Sequence, residues 1–129
     1  MCGILGAIGS SANHTKFGEV LKTLDPRGPD DRNEVGGLGF RLGHTRLSVI
    51  DLDHGSQPMS SPCGVYHLVY NGELYNAALL RAELTSEAWS FRTRSDTEVV
   101  LAALVIWGRS AVEKFDGMFA FGFWSDQGK

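Results

Sequence analysis

The sequence predicts an α+β protein, and three observations support this class. The stretch "SDTEVVLAALVIW" has apolar residues at helical spacing. The apolar runs "GILGAI" and "MFAFGFW" are typical of buried strands. The run "VYHLVY" leads into Asn71-Gly72, a pair that is favoured in tight hairpin turns, so it indicates antiparallel pairing.

In the first half of the chain we predict a buried strand, a short helix and two further strands. The strand covers Gly3 to Ile8, and the helix covers His14 to Leu24, where the polar stretch "DPRGPDD" ends it. Gly36 to Ile50 contains the apolar runs "LGF" and "LSVI", which are consistent with two strands of an antiparallel sheet. Four apolar residues of the helix fall on one side: Phe17, Val20, Leu21 and Leu24.

In the second half we predict two helices and two strands. A strand runs into the Asn71-Gly72 turn, and Asn76 to Leu84 has a helical pattern. Ser95, with Glu98 three residues later, predicts a capping box at the start of the next helix. Met118 to Trp124 is an apolar strand that ends in the turn-forming "SDQGK". The predicted apolar face of the longer helix consists of Val99, Val100, Ala103, Leu104 and Trp107.

Length, composition and net charge exclude several classes of function. The length of 129 residues suits one domain, and the net charge of −3 argues against nucleic acid as a partner. There is no apolar run of about 20 residues and no signal peptide, so we expect a cytoplasmic protein without a membrane partner. The two cysteines form no cluster, which favours neither a disulfide framework nor a metal site. We interpret the scattered histidines as ordinary surface or core residues.

Cys2 directly follows the initiator methionine. If Met1 is removed, Cys2 carries both a thiol and a free α-amine, and the amine can serve as the base for the thiol. Alternatively, Cys2 is a small buried residue near the end of a domain, because free cysteine is among the most buried residue types. Cys63, in the turn-like "SSPCG", has no evident partner, and we interpret it as incidental.

The end of the sequence indicates that the domain is incomplete. A strand as apolar as Met118 to Trp124, followed by a turn and then nothing, implies a missing partner strand. We expect an uncovered sheet face or edge, which would favour a homodimer.

Seven short motifs, in order along the whole chain, together point to one family. They are "MCGI", "RGPD", "GHTRLSVIDL", "QPM", "YNGELYN", "SDTEVVL" and "FDGMFAF". The set resembles the glutaminase domain of class II glutamine amidotransferases, of the asparagine synthetase type. The resemblance implies an N-terminal-nucleophile αββα sandwich with stacked antiparallel sheets, and residues 1–129 would be an incomplete glutaminase domain. It also implies hydrolysis of glutamine to glutamate and ammonia, which passes to an ATP-dependent synthetase domain.

The resemblance also implies the residues of the site. Cys2 would be the nucleophile, and the Asn71 side chain and Gly72 N–H would stabilise the oxyanion and contact glutamine. Arg46 would bind the glutamine carboxylate through its planar guanidinium, and Asp96 would bind the ammonium. The remaining residues expected in the glutamine pocket are Leu47, Ser48, Val49, Ile50 and Glu73.

Each of these residues also has an ordinary structural interpretation when it is taken alone. Arg46 would be a surface arginine in a strand, and Asp96 an acid that the first turn of a helix favours. Asn71-Gly72 would be a hairpin turn, followed by the exposed strand acid Glu73. The two interpretations of Asn71-Gly72 are compatible with each other.

For the glutaminase half-reaction the resemblance implies no metal or organic cofactor. ATP and Mg are expected only in the synthetase domain, whose Ser-Gly-Gly pyrophosphate loop does not occur in these residues. One departure from the family pattern is Pro26, which stands where the family usually has histidine before Arg-Gly-Pro-Asp. This departure bears on coupling to the synthetase domain more than on amide hydrolysis.

Two other function classes remain open at this stage. One is an inactive regulatory or assembly module that keeps the fold as an interaction surface, for which a reactive Cys2 would have no use. The other is a different N-terminal-nucleophile hydrolase that acts on another amide. The pair of Arg46 and Asp96 argues against the latter, since these charges fit a free amino acid.

Overall fold

The computed structural model describes residues 2–47 and 55–127. In this part of the chain six strands form two sheets, and three α-helices pack on them. The strands are β1 (Gly3–Ile8), β2 (Asp31–Gly37), β3 (Phe40–Arg46), β4 (Met59–Ser60), β5 (Tyr66–Leu74) and β6 (Gly117–Ser125). The α-helices are α1 (Phe17–Lys22), α2 (Ala77–Ser86) and α3 (Asp96–Trp107). Short 3₁₀ segments cover Gly9–Asn13, Asp25–Arg27 and Gly108–Lys114.

Each sheet has three strands that pair antiparallel. The first sheet has the order β1-β3-β2, with Ile4 opposite His44 in its register. The second sheet has the order β4-β5-β6, with Asn71 opposite Ala120. The central strands are therefore β3 and β5, which are also the strands with the most buried residues in each sheet.

The two sheets stack face to face, and helices cover their outer faces. Between the sheets, Phe40 and Leu42 of β3 pack against Val69 of β5. On the outer face of the first sheet, Phe17 and Leu21 of α1 lie over Gly43. The main core lies between the second sheet and helices α2 and α3. This arrangement is the predicted αββα sandwich.

The region from residue 31 to 47 differs from the sequence prediction. Its strands are β2 and β3, and of the run "LGF" Leu38 and Gly39 form the turn between them, while Phe40 begins β3. Leu38 in this turn is 99% exposed, and Gly39 has a φ of +80°, which favours glycine. Of the run "LSVI", Leu47 follows the end of β3, and Ser48, Val49 and Ile50 lie outside the described residues.

Two helices also differ in detail. Helix α1 covers six residues instead of His14 to Leu24, and Val20 is exposed. Helix α3 begins after Ser95, as predicted, but it is buried on all sides from Thr97 to Leu104 instead of on one face. The reason is that α3 packs against the second sheet on one side and against α2 and Gly108–Lys114 on the others.

The predicted capping box at the start of α3 is only half formed. The Ser95 Oγ accepts a hydrogen bond from the Glu98 backbone N–H at 3.4 Å. The buried Glu98 carboxylate instead accepts the backbone N–H groups of Arg92 and Thr93 and the Thr93 hydroxyl, at 2.6 to 3.1 Å. These bonds fix the segment that leads into α3 and so fix the position of Asp96.

Strand β6 is the edge of the second sheet in the described part of the chain. It pairs with β5 along all nine of its residues, and none of its side chains is fully buried. A partner strand for this edge stays a prediction. Among the described residues, none of the helices has the length and apolar character needed to cross a membrane.

The loop before β2 crosses β3 at very close range. Pro29 bridges to Arg46, and the Asp30 N–H donates to the Arg46 carbonyl at 2.9 Å. A Cβ atom on Gly28 would collide with the Thr45 carbonyl and would lie 2.5 Å from the Arg46 nitrogen. Both are backbone atoms that cannot move aside, so the close approach requires glycine at position 28.

We expect Gly28→Ala to lower the free energy of unfolding by about 1–3 kcal/mol, because the added methyl group overpacks this crossing. Gly18→Ala is the matched control, since nothing lies within 4 Å of a Cβ at this position in α1. Alanine is the better helix former, so the control should stabilise by roughly 0.5–1 kcal/mol. Urea unfolding of both variants measures these changes, and equal effects would contradict the steric explanation.

Candidate active site

Cys2 lies directly before β1 and is tied to three separate segments. Its backbone N–H donates to the Asn71 Oδ1 at 3.1 Å, and its carbonyl accepts the Arg27 Nε at 3.3 Å. The Leu47 N–H donates to the Cys2 Sγ at 3.4 Å. The thiol is partly buried and lines a cavity, as a nucleophile requires. Cys2 is therefore not fully buried, and its role as a nucleophile stays a prediction.

Arg27 belongs to the quoted "RGPD" motif, but the sequence analysis assigns it no separate role. Its hydrogen bond to the Cys2 carbonyl fixes the residue that carries the thiol. Pro26 lies in the 3₁₀ turn Asp25–Arg27. The first turn of a helix tolerates proline because its missing N–H would have no partner there. Proline at position 26 is therefore compatible with this turn.

Asn71 and Gly72 do not form a hairpin turn. Both lie inside β5, which continues to Leu74, and they pair with Ala120 and Phe119 of β6. A Cβ on Gly72 would collide with the Met118 carbonyl and would lie 2.6 Å from the Phe119 Cα. Glycine is thus needed for the close approach of β6 and not for a turn.

The Asn71 side chain connects this strand to Cys2. Its Oδ1 accepts the Cys2 N–H, so its amide nitrogen is the donor end. The interaction joins residues 69 positions apart in the sequence. The geometry therefore combines a thiol, the nitrogen of the same residue and an amide donor.

Arg46 and Asp96 lie at the ends of their elements. Arg46 is the last residue of β3 and is 7% exposed. Asp96 is the first residue of α3, and its Oδ2 accepts the Tyr70 hydroxyl at 3.0 Å and the Leu74 N–H at 3.1 Å. A cation and an anion are therefore held beside the same cavity.

The cavity has a volume of about 490 Å³, which is in the range of small-molecule sites. All of the predicted site residues that the structure describes line it: Cys2, Arg46, Leu47, Asn71, Gly72, Glu73 and Asp96. Glu73 is exposed in β5, beyond Gly72. The other predicted residues, Ser48, Val49 and Ile50, lie outside the described residues.

Besides Ser95 and Thr97 at the start of α3, three polar residues line the cavity that the sequence analysis did not assign to the site. Tyr70 hydrogen bonds Asp96, Gln57 hydrogen bonds the backbone of Tyr70, and His44 lies on β3 two residues before Arg46. All three stand inside the quoted motifs, which were the only sequence signal for them. In residues 2–47 and 55–127 no group of three or more His, Cys, Asp or Glu could hold a metal ion.

His44 is not an ordinary surface histidine. It is 1% exposed, and its Nε2 has no hydrogen-bond partner among the described residues. The pKa of the imidazole is lowered from 6.5 to about 4, mainly by burial and to a smaller extent by the charge of Arg46. A backbone hydrogen bond with Tyr70 and the charge of Asp31 oppose this change in pKa. The ring is therefore neutral at neutral pH.

Comparison with known proteins points to one family. A family model described as "glutamine amidotransferase domain" matches residues 1–129. The chain is 38% identical over 133 residues to asparagine synthetase [glutamine-hydrolyzing] 3 of Bacillus subtilis. The match covers 98% of this chain and 22% of that protein. It is 33% identical over 131 residues to asparagine synthetase B [glutamine-hydrolyzing] of Escherichia coli, covering 98% of this chain and 24% of that protein. The chain thus spans about a quarter of the length of these relatives.

A solved structure has the same fold. Glutamine phosphoribosylpyrophosphate (PRPP) amidotransferase from B. subtilis, complexed with ADP and GMP, aligns with a TM-score of 0.69. The alignment covers 97% of this chain and 35% of that chain, at 21% sequence identity. The two stacked antiparallel sheets with outer helices are thus the N-terminal-nucleophile fold that the sequence predicted.

The low pKa of His44 makes stability depend on pH. In the unfolded state the His44 imidazole takes up a proton near pH 6.5, but in the folded state it does so only near pH 4. The stabilisation is complete above pH 6.5, and as the pH falls to 4 the free energy of unfolding should decrease by roughly 3 kcal/mol. In His44→Gln this part of the decrease should be absent. Urea unfolding at several pH values measures this decrease in the free energy of unfolding. His14→Gln is the control, because His14 is exposed and its variant should keep the decrease. Identical pH profiles for the two variants would contradict the assignment to His44.

Proposed function

The chain belongs to the glutamine amidotransferase domain family, and from this premise we propose that it hydrolyses glutamine to glutamate and ammonia with Cys2 as the nucleophile. The observation that carries the proposal is the convergence of four separate segments on one cavity. They bring a thiol, an amide donor, a buried arginine and an aspartate together. These are the groups that a selective site for a zwitterionic amide needs.

Substrate binding follows from the charges. The Arg46 guanidinium pairs with both oxygens of the glutamine carboxylate, and Asp96 binds the ammonium. Glu73, at the exposed end of the cavity, adds a second anion for the ammonium. Backbone contacts between glutamine and the segment Leu47 to Ile50 stay a prediction, because Ser48, Val49 and Ile50 lie outside the described residues. The side-chain amide of glutamine then reaches Cys2, which lies across the cavity.

Catalysis begins after removal of Met1, which the small side chain of Cys2 permits. The free α-amine takes the proton of the thiol, and the sulfur attacks the amide carbon. The Asn71 amide nitrogen and the Gly72 N–H stabilise the oxyanion, and each donor is worth about 3–4 kcal/mol in such sites. The protonated amine then gives its proton to the departing ammonia, which leaves a thioester on Cys2.

Water completes the cycle. It attacks the thioester, releases glutamate and restores the thiol, so that one amide and one water give one acid and one ammonia. This half-reaction requires no metal or organic cofactor. Every proton transfer in it is assigned to the α-amine of Cys2.

The ammonia acceptor is proposed from the relatives. Two asparagine synthetases match this chain over about a quarter of their length. We therefore propose that a synthetase domain or subunit outside residues 1–129 consumes the ammonia in the cytoplasm. ATP and Mg would act there and not in the cavity at Cys2.

The first test combines intact mass with a diazo-ketone analogue of glutamine, which alkylates a reactive thiol. We expect Met1 to be absent and a single adduct to form on Cys2, with glutamine suppressing the reaction. Cys2→Ala should lose the adduct and all measurable glutaminase activity. Cys63→Ala is the matched control, because Cys63 is exposed and is not among the residues that line the cavity, and it should keep both.

The labelling experiment also separates the proposal from its main alternative. A protein that retains Met1 and leaves Cys2 unlabelled would be a binding or assembly module without glutaminase activity. If other amides suppress the labelling of Cys2 as strongly as glutamine does, the protein would be a different hydrolase of the same fold. Activity in Cys2→Ala equal to that of the unmodified chain would overturn the mechanism.

Arg46→Lys should raise the KM for glutamine by roughly 10- to 100-fold, because lysine keeps the charge but loses the bidentate pairing with the carboxylate. The value is measured from the release of ammonia at varied glutamine concentration. Arg32→Lys is the control, because Arg32 forms a half-exposed ion pair with Asp25 that such a change affects little. An unchanged KM in Arg46→Lys would remove Arg46 from the binding site.

A further inference from the structure

Tyr70 contacts the aspartate that the proposed function assigns to the substrate ammonium. Its hydroxyl donates to the Asp96 Oδ2 at 3.0 Å, and the Leu74 N–H donates to the same oxygen at 3.1 Å. Within residues 2–47 and 55–127, the second oxygen of Asp96 accepts no hydrogen bond. Two donors therefore hold one end of the carboxylate and leave the other end for a ligand.

The position of Tyr70 is itself fixed. Its side chain is 2% exposed and packs in the core between the second sheet and helices α2 and α3. Gln57 clamps its backbone: the Tyr70 N–H donates to the Gln57 Oε1 at 2.6 Å, and the Gln57 Nε2 donates to the Tyr70 carbonyl at 3.0 Å. The Gln57 Nε2 also lies 3.3 Å from the Thr97 hydroxyl, which is next to Asp96 in α3. Strand β5 and the start of α3 are thus tied together at two points.

The hydroxyl remains a donor over the whole working range of pH. Burial raises the pKa of the Tyr70 phenol well above its usual value of 10, and the charge of Asp96 raises the pKa further. The phenol is therefore neutral, and it is suited to donate to a carboxylate. A hydrogen bond to an ionised acceptor is also stronger than one between neutral groups.

We propose that Tyr70 is a positioning residue, which holds Asp96 so that its second oxygen accepts the α-ammonium of the amide substrate. This inference rests on the proposed function, because it concerns the same cavity and the same substrate. It adds a selectivity element: the Tyr70 hydroxyl favours amides that carry an α-amino group over amides that lack one. Arg46, across the cavity, would not share this dependence.

The test compares two substrates in the full chain carrying Tyr70→Phe. Glutamine carries the α-ammonium, while 4-carbamoylbutanoate is the same amide without it. In Tyr70→Phe we expect the KM for glutamine to rise roughly tenfold with kcat little changed, because the lost bond served Asp96 and not the reacting atoms. For 4-carbamoylbutanoate, measured as a substrate or as an inhibitor, we expect no change.

Tyr66→Phe is the matched control. Tyr66 lies on the same strand and packs on the same core, but its hydroxyl makes no hydrogen bond with any described residue. It should keep the original KM for both substrates. In an Asp96→Asn background, Tyr70→Phe should have little further effect on glutamine, since a residue that acts through Asp96 gives non-additive changes.

The outcomes separate the two proposals. If the unmodified chain hydrolyses glutamine and Tyr70→Phe keeps its KM, the inference is overturned while the proposed function stands. An equal loss for both substrates would also overturn it, because it would mean that Tyr70 only supports packing. If the unmodified chain does not hydrolyse glutamine, the proposed function fails and this inference fails with it.

Discussion

The uninterrupted pairing of β5 with β6 through Asn71 and Gly72 is the constraint on which the cavity depends. Because alternate side chains of a strand point to opposite faces of the sheet, the side chains of Tyr70 and Asn71 in β5 lie on different faces of the second sheet. Asn71 reaches Cys2 at the start of the first sheet, and Tyr70 reaches Asp96 at the start of α3. A turn at Asn71-Gly72 would break this division. The close approach of β6 at Gly72 keeps β5 extended here, so that Asn71 contacts Cys2 and Tyr70 contacts Asp96 beside the same cavity.

The charges beside the cavity also depend on neighbouring backbone. Arg46 ends β3 where the loop at Gly28 and Pro29 crosses it, and Asp96 begins α3 where Glu98 fixes the preceding segment. Charged groups are costly to bury unless other groups compensate them. The hydrogen bonds from Tyr70 and Leu74 supply part of that compensation for Asp96. In the proposed function a zwitterionic substrate supplies more, which gives a physical reason for its selection over a neutral amide.

The sequence predicted strand β1, helices α2 and α3, strand β6 and, through the family resemblance, seven of the described residues that line the cavity. It failed where tertiary contacts override local preference. Asn71-Gly72 has the composition of a hairpin turn, but pairing with nine residues of β6 keeps it extended. The periodicity of α3 suggested one buried face, although packing on several sides buries the helix from Thr97 to Leu104. The roles of Tyr70, Gln57 and Arg27 arise from contacts across 13 to 26 positions of sequence, for which residue patterns carry no signal.

In the proposed mechanism, the contacts of the Cys2 nitrogen give a reason why the nucleophile is placed at the start of the chain. The Cys2 backbone nitrogen donates to the Asn71 Oδ1. A peptide nitrogen has no basic lone pair, so it orients the thiol but takes no proton from it. Removal of Met1 would convert the same nitrogen to an amine, which keeps an N–H for Asn71 and gains a lone pair for the thiol. In the proposed mechanism, the contacts of Cys2 with Arg27, Leu47 and Asn71 are thus formed before Met1 is removed. Removal of Met1 then adds the base, and these contacts stay in place.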